Sequence, residues 1–163
     1  MGIKTFRPMT PARRYYMVAT FEEITRDKPH ESLLRPLPKS GGRNNTGRKT
    51  NKWIGGGEKQ QYRVIDFLRD KTGIPGKVVS VEYDPNRTCR IALVCYSDGE
   101  YRYILCPQGL KVGDTVSSGS GLPIRDGNAM PLSAVPVGVE IHNLQLYPHS
   151  RSFLVRSAGT GAQ

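Results

Sequence analysis

Glycine, asparagine and cationic side chains are closely spaced in the stretch KSGGRNNTGRKT, residues 39–50. Backbone N–H groups freed by glycine, followed by a lysine, bind nucleotide phosphates in the pattern G-x-x-x-x-G-K-S/T. Here Gly42 and Gly47 are followed by Arg48, Lys49 and Thr50, which is one residue too long for that motif. The stretch is therefore compatible with two phosphate ligands, a nucleotide and a nucleic-acid backbone.

The elements that would position these residues argue against a nucleotide. A phosphate loop needs a buried strand before it and a helix after it, because the helix N-terminus forms part of the anion site. Pro36 and Pro38 precede the stretch and interrupt any central strand, and the three glycines 55–57 that follow it oppose a helix. We therefore predict an extended basic segment that binds a nucleic-acid backbone.

The positive charge of the chain is concentrated in its N-terminal part. The net charge is +10, and residues 1–63 contain 14 Lys and Arg against 5 Asp and Glu, whereas residues 64–163 contain 10 against 9. No acidic residue lies between Glu31 and Glu58. Such a segment cannot bury enough apolar surface to fold alone, so we expect it to become ordered against a polyanion. The alternative is a solvated, flexible arm.

Several functional classes receive no support from the composition. No segment approaches the roughly 18 apolar residues of a membrane helix, and the N-terminus lacks the apolar core of a signal peptide. The candidate metal ligands with sulfur or imidazole are Cys89, Cys95, Cys106, His30, His142 and His149. Because they form no C-x-x-C pair and are scattered, we predict no metal or cofactor, and we interpret the cysteines as small buried residues in a reducing compartment. No catalytic triad or paired carboxylates stand out, so an enzyme is not predicted.

Short runs rich in Val, Ile and Tyr follow from residue 61 onward, with turn signals between them. The runs are residues 62–67, 77–84, 90–97, 101–107 and 114–119. Five strands at this spacing are typical of an all-β fold with a small barrel rather than an α/β fold. Tyrosines lie on several runs, either in ordinary packed positions or as a face that stacks on bases: Tyr62, Tyr83, Tyr96, Tyr101 and Tyr103.

A second β module is indicated after the Gly- and Pro-marked linker 118–132. Residues 135–148 place Val139, Ile141, Leu144 and Leu146 at apolar positions, and residues 153–163 follow. One or two strands cannot close a barrel and would leave exposed edges. The chain is therefore expected to be either a fragment or a protein whose second module is completed by another polypeptide.

Six motifs in collinear order resemble a known family. They are KSGGRNNTGR (39–48), GGGEKQQYRVIDF (55–67), VEYDPNRTCRIAL (81–93), DGEYRYILCPQGLKVGD (98–114), GNAMPLSAVPVG (127–138) and VRSAGTGAQ (155–163). Together they resemble the N-terminal part of ribosomal protein L-two of the bacterial-type large subunit. One departure is that Glu58, Gln60 and Gln61 stand where the family usually has histidine and basic residues.

The resemblance implies an all-β organisation in three parts: an extended basic rRNA-binding arm (1–60), a five-stranded OB-fold barrel (61–119), and a linker with the first part of an incomplete SH3-like barrel (120–163). It implies a structural constituent of the large ribosomal subunit that binds and organises rRNA near the peptidyl transferase region during translation and assembly. The alternative is a stand-alone OB-fold RNA-binding protein or translation factor.

The implied partners are large-subunit rRNA, other ribosomal proteins and a second chain that supplies the C-terminal half, with no membrane. We expect an organellar ribosome, a mitochondrial one rather than a plastid one, with the bacterial cytoplasm still open.

The expected rRNA contacts form three groups. In the arm, side chains that bind phosphates or both donate and accept hydrogen bonds are Arg43, Asn44, Asn45, Arg48, Lys49 and Lys52. Glycines that would let RNA approach the backbone are Gly41, Gly42, Gly47, Gly55, Gly56 and Gly57. In the barrels, the resemblance implies Arg69, Lys71, Arg87 and Arg156.

Several of these assignments have competing explanations. For Arg69 and Lys71, ion pairing at the surface is the alternative, because Asp66 and Asp70 lie nearby in the sequence. Arg87 follows the rigid Asp-Pro-Asn turn at residues 84–86, which would present it for bidentate phosphate binding, but a surface ion pair with Asp84 is the alternative. The aromatic residues Trp53, Tyr15 and Tyr16 suit base stacking, although we expect packing or anchoring of the arm instead.

Overall fold

The structure is a computed structural model that describes residues 2–148 and 150–163, so His149 lies outside the described residues. The described part is all-β and contains no α-helix. Its strands are β1 (Ile3–Thr5), β2 (Met17–Ala19), β3 (Leu34–Pro36), β4 (Gln61–Arg63), β5 (Gly76–Glu82), β6 (Ile91–Tyr96), β7 (Tyr101–Leu105) and β8 (Thr115–Val116). Two 3-10 turns span Glu31–Leu33 and Leu132–Ala134.

The central element is a four-stranded antiparallel sheet in the order β7-β6-β5-β8, curled into a half-barrel. The turn between β6 and β7 is a tight hairpin in which Gly99, with φ of 86°, donates its N–H to the Tyr96 carbonyl at 2.9 Å. A register shift between Val78 and Ser80 interrupts the pairing of β5 with β6. Such a bulge increases local twist, which suits a curled sheet.

Strand β6 is buried on both faces of the sheet, which explains its uninterrupted apolar sequence. Ala92, Val94 and Tyr96 belong to one core cluster, and Ile91 and Leu93 belong to the other. Alternate side chains of a strand point to opposite faces, so both faces of β6 are covered. The sequence pattern of β6 therefore reflects a central strand rather than a half-exposed one.

The predicted runs from residue 77 onward correspond to β5, β6, β7 and β8, whereas the first run behaves differently. Residues 62–67 overlap β4, but β4 pairs with β3 in a separate two-stranded sheet. Ile65 adds only one parallel bridge, to Tyr103 of β7. The all-β prediction is confirmed, and the last four of the five predicted runs supply the strands of the curled half-barrel.

The first 36 residues, which belong to the predicted arm 1–60, are attached to the half-barrel at several points. β1 pairs with β2. Thr25 exchanges hydrogen bonds with Val81 of β5 through its backbone N–H (3.0 Å) and its hydroxyl, and the N–H of His30 donates to the Tyr103 hydroxyl at 2.8 Å. Leu33 packs against the second core cluster. The exposed basic segment is therefore the loop 37–60, which β3 and β4 close at its base, and we call it the arm loop.

The C-terminal part, residues 120–163, contains isolated bridges rather than regular strands among its described residues. Ile141 pairs with Ala162, and Leu144 pairs with Leu154. This part is attached to the half-barrel because Asn143 and Ser152 both donate side-chain hydrogen bonds to the Phe67 carbonyl, at 3.3 and 3.0 Å. The cysteines at positions 89, 95 and 106 are free thiols and only half-buried, less buried than expected.

Candidate nucleic-acid interface

The tip of the arm loop is a turn organised by Asn44. Its side-chain oxygen accepts hydrogen bonds from the Thr46 N–H (3.1 Å), the Thr46 hydroxyl (2.8 Å) and the Arg48 N–H (2.9 Å). The Asn44 N–H donates to the Arg48 carbonyl at 2.9 Å, and Arg43 forms a bridge with Lys49. Asn44, predicted as an RNA contact, thus has a structural role in holding Arg43 and Arg48 on one turn.

The base of this turn depends on Gly42. Its carbonyl accepts hydrogen bonds from the N–H groups of Thr50 (2.9 Å) and Asn51 (3.2 Å). Gly42 has φ of 75°, and a Cβ at this position would lie 2.6 Å from the Asn51 carbonyl oxygen. The fold itself therefore requires glycine here, independently of any RNA.

Gly55 and Gly56 differ from Gly42 because neither packing nor backbone conformation requires them. A Cβ at either position would meet no atom within 4 Å, and neither residue is among the glycines with positive φ. Their lack of a side chain has no consequence within the described chain. An external backbone that approaches closely is a physical reason for glycine at these positions.

The arm loop contains six cationic residues, of which four were predicted to contact RNA. We call these four the arm cations: Arg43, Arg48, Lys49 and Lys52. All four residues are exposed. Within residues 2–148 and 150–163, none of them forms an ion pair. Their charges are therefore directed at solvent and are available to a polyanion. Asn45 is also exposed on this turn.

Arg87, beside the half-barrel, and Arg156, in the C-terminal part, both lie near the ring of Phe67. Their guanidinium carbons are 5.7 and 3.7 Å from the Phe67 ring centroid. Arg87 donates from Nε to Asp84 at 2.6 Å, so the ion pair considered above is present. Burial, with a smaller contribution from Arg87, lowers the pKa of Arg156 from the usual arginine value. The structure thus brings together two of the four predicted barrel residues.

Arg69 and Lys71 are engaged within the chain. Arg69 has φ of 53° and donates from a terminal nitrogen to the Gly127 carbonyl at 3.0 Å. The Lys71 ammonium forms ion pairs with Asp98 and Glu100, and its side chain is only 11% exposed. Hydrogen bonds to Asp98 and then Glu100 raise the pKa of Lys71. RNA would have to displace these carboxylates, so we expect Lys71 to contribute less than the arm cations.

The aromatic residues separate into packed and exposed groups. Tyr96 and Tyr103 are buried, and Tyr101 stacks on His30 with ring centroids 4.9 Å apart, so these tyrosines do not form an open stacking face. Trp53 is 96% exposed, which contradicts the expectation that it packs or anchors the arm. The sequence signal that identifies it is its position between a cation-rich turn and three glycines, where Ile54 is the only other apolar residue between residues 38 and 61.

The described residues contain neither a cluster of metal ligands nor a membrane-spanning helix. Within residues 2–148 and 150–163, no group of three or more His, Cys, Asp or Glu side chains is placed to hold a metal ion. The helices of the described chain include none with the length and apolarity needed to cross a membrane.

An exposed, hydrogen-bonded basic loop mounted on a curled antiparallel half-barrel defines an all-β nucleic-acid-binding protein. The family described as Ribosomal Proteins L2, RNA binding N-terminal domain, matches residues 30–118. That match covers more than half of the chain, and the chain belongs to this family, as its motifs predicted. It is a ribosomal RNA-binding protein of a structural family, and its partners are rRNA and proteins of the large ribosomal subunit. The match includes the arm loop and the half-barrel.

Proposed function

We propose that this chain is a structural constituent of the large subunit that organises rRNA near the peptidyl transferase region, during assembly and translation. The observation that carries the proposal is the arm loop, where four cations without ion pairs among the described residues are held on a turn by Asn44 and Gly42. A polyanion neutralised by such a surface releases counterions, and this release supplies affinity without needing a particular sequence.

The arm loop and the half-barrel have different tasks in this proposal. The arm cations bind phosphates, and Asn45, Gly55 and Gly56 allow close contact with the sugar and backbone. Arg87 and Arg156, held against Phe67, bind a second stretch of backbone. Arg69 and Lys71 remain proposed contacts of lower contribution. With about six phosphate contacts, the slope of log affinity against log salt is expected to be roughly −4 to −5.

We further propose that the half-barrel is an OB-fold domain and that residues 120–163 begin an SH3-like module completed by a further polypeptide segment. Leu132, Leu146, Tyr147 and Phe153 are exposed in this part of the chain, although each is apolar over most of its surface. The bridges at Ile141 and Leu144 give it few backbone pairs of its own. A segment that adds strands would cover these side chains and pair with the backbone N–H and C=O groups at the strand edges. A second chain is the proposed source.

Density-gradient fractionation of the native source at low and high salt tests the assignment. We expect the chain to sediment with large subunits, together with a polypeptide that contains the remaining SH3-like sequence. An organellar ribosome, mitochondrial before plastid, is proposed from the sequence alone, and the origin of the co-sedimenting rRNA identifies the compartment. A chain that sediments free of ribosomes at low salt would instead be a stand-alone OB-fold RNA-binding protein.

Substitution of Gly55 by alanine tests the proposed close approach of RNA. The added methyl group meets nothing within 4 Å in the chain, so the free energy of unfolding should change by less than about 1 kcal/mol. We expect rRNA affinity to fall severalfold, because the methyl group occupies space needed by the RNA backbone. Filter binding and chemical denaturation of the same samples measure the two quantities.

The matched comparison for Gly55 is Gly42→Ala. That variant should disrupt the turn and weaken RNA binding through the fold, since its methyl group collides with Asn51. If Gly55→Ala binds rRNA with unchanged affinity, RNA does not approach the backbone at that position.

A further inference from the structure

Trp53 is the only tryptophan of the chain, and nearly its whole ring is exposed to solvent. Tryptophan normally contributes a large buried area to a core or an interface. Here the one apolar neighbour, Ile54, is itself 46% exposed, and the core clusters include neither Ile54 nor the ring. Because no described residue covers the ring, an occupant outside the described residues is needed to remove this apolar surface from water.

The backbone that presents the ring is held in place by hydrogen bonds. The Asn51 N–H donates to the Gly42 carbonyl at 3.2 Å, and the Ile54 carbonyl oxygen lies 3.3 Å from where a Gly42 Cβ would be. Trp53 itself has φ of 65°. A bulky side chain occupies this left-handed region only at a cost on the order of 1 kcal/mol or more, and such strain concentrates at functional positions.

The charge around the ring selects the kind of occupant. Lys52 precedes Trp53, and Lys49 lies on the turn paired with Arg43. No acidic residue occurs between Glu31 and Glu58. An exposed aromatic ring among cations combines a stacking surface with phosphate-binding groups, which is how proteins bind single-stranded nucleic acid. A purely apolar protein surface would gain nothing from the cations.

We propose that Trp53 stacks on an unstacked base of single-stranded RNA while neighbouring arm cations bind the adjacent phosphates. The inference rests on the proposed function and assigns the arm loop a second mode of binding. The cations contribute a part of the RNA affinity that depends on salt. The ring contributes a part that does not, because it makes a contact between uncharged π surfaces. An unpaired nucleotide in a loop or bulge of the rRNA is the chemical class of ligand, because a base inside a helix is already stacked.

Intrinsic fluorescence tests the proposal directly, because one tryptophan produces the whole indole signal. The full chain is titrated with a short single-stranded oligoadenylate and with an abasic oligomer of the same length and charge. We expect the oligoadenylate to quench Trp53 and the abasic oligomer to bind without comparable quenching. Trp53→Ala should weaken oligoadenylate binding about 5- to 150-fold, the range expected for one stacked base, and leave abasic binding unchanged.

Variants at the same position separate stacking from backbone strain. Trp53→Tyr restores most of the affinity if an aromatic face is what the RNA contacts. Trp53→Gly relieves the left-handed strain that Trp53→Ala retains. If stacking and not strain governs the affinity, both variants should lose the same base-dependent affinity. The ratio of wild-type to Trp53→Ala affinities should also stay constant between low and high salt, unlike the effect of removing an arm cation.

Different outcomes overturn the inference and the proposed function. Equal binding of both oligomers without quenching, and with no loss in Trp53→Ala, refutes stacking but leaves the arm loop as an RNA-binding element. Failure of the wild-type chain to bind oligomers or large-subunit rRNA refutes the proposed function itself. A Trp53 signal that changes only in intact subunits, and not with RNA, shows that a protein covers the ring and also refutes stacking.

Discussion

Replacement of all four arm cations by glutamine is expected to weaken binding to large-subunit rRNA and to flatten its salt dependence. Each phosphate contact contributes about 0.7 to 0.9 to the slope of log affinity against log salt, so removal of four contacts lowers the slope by roughly 3. Between 50 and 200 mM salt, the wild-type chain should then lose on the order of 50-fold more affinity than the variant. Filter binding of an rRNA transcript at several salt concentrations measures both slopes.

A charge-matched variant is the control for this experiment. It replaces four exposed cations of the half-barrel and C-terminal part by glutamine: Lys77, Lys111, Arg125 and Arg151. Both variants lose the same formal charge, but only the first changes the arm loop. If the two slopes fall equally, the net charge of the chain and not the arm loop governs binding, and the proposed site is wrong.

Asp84→Ala is expected to destabilise the fold by about 3–5 kcal/mol, because it leaves a partly buried cation unpaired. Asp84 is 0% exposed, pairs with Arg87 at 2.6 Å, and lies 3.7 Å from Arg63. The same carboxylate accepts hydrogen bonds from the N–H and side-chain amide of Asn86, both at 3.0 Å. A single substitution therefore removes four polar contacts from the turn that orients Arg87.

Chemical denaturation of the full chain measures the loss, with Asp114→Ala as the control. Asp114 also accepts a hydrogen bond within a turn, from the Lys111 N–H at 2.7 Å, but it is exposed. Its substitution should cost about 1 kcal/mol or less, because water replaces the lost partner. Similar losses in both variants would mean that Asp84 acts only as a local turn residue and that the two arginines do not depend on it.

The half-barrel could be predicted from sequence because its signals are local. Short runs rich in Val, Ile and Tyr identify β5, β6 and β7, and Asp98-Gly99 identifies the hairpin between β6 and β7. The pairing of β4 with β3 could not be predicted in this way. β3 ends at Pro36, whose missing N–H excludes it from a central strand but permits it in a two-stranded edge sheet. Long-range pairing of two three-residue strands leaves no periodicity to detect.

The site was predictable in composition but not in arrangement. Residue types and charge identified the arm loop, whereas the structural role of Asn44 and the different reasons for Gly42 and Gly55 depend on how the loop folds in three dimensions. Sequence reasoning also expected a covered Trp53, since tryptophan is usually buried. It could not show that the loop bends so that its single indole faces outward. For Lys71, the pairing with Asp98 and Glu100 depends on the position of a distant hairpin.

The closure of the arm loop by the β3–β4 pair affects how long a complex with RNA would last. Leu34 pairs with Arg63, and Pro36 pairs with Gln61, so both ends of the loop are anchored beside the half-barrel. The two RNA-binding surfaces are the arm loop and the half-barrel. Once one of them has bound RNA, the other is confined nearby at a high effective concentration. Release then requires both surfaces to detach before either one rebinds. Loss of one surface should therefore mainly accelerate dissociation, with a smaller effect on the rate of encounter.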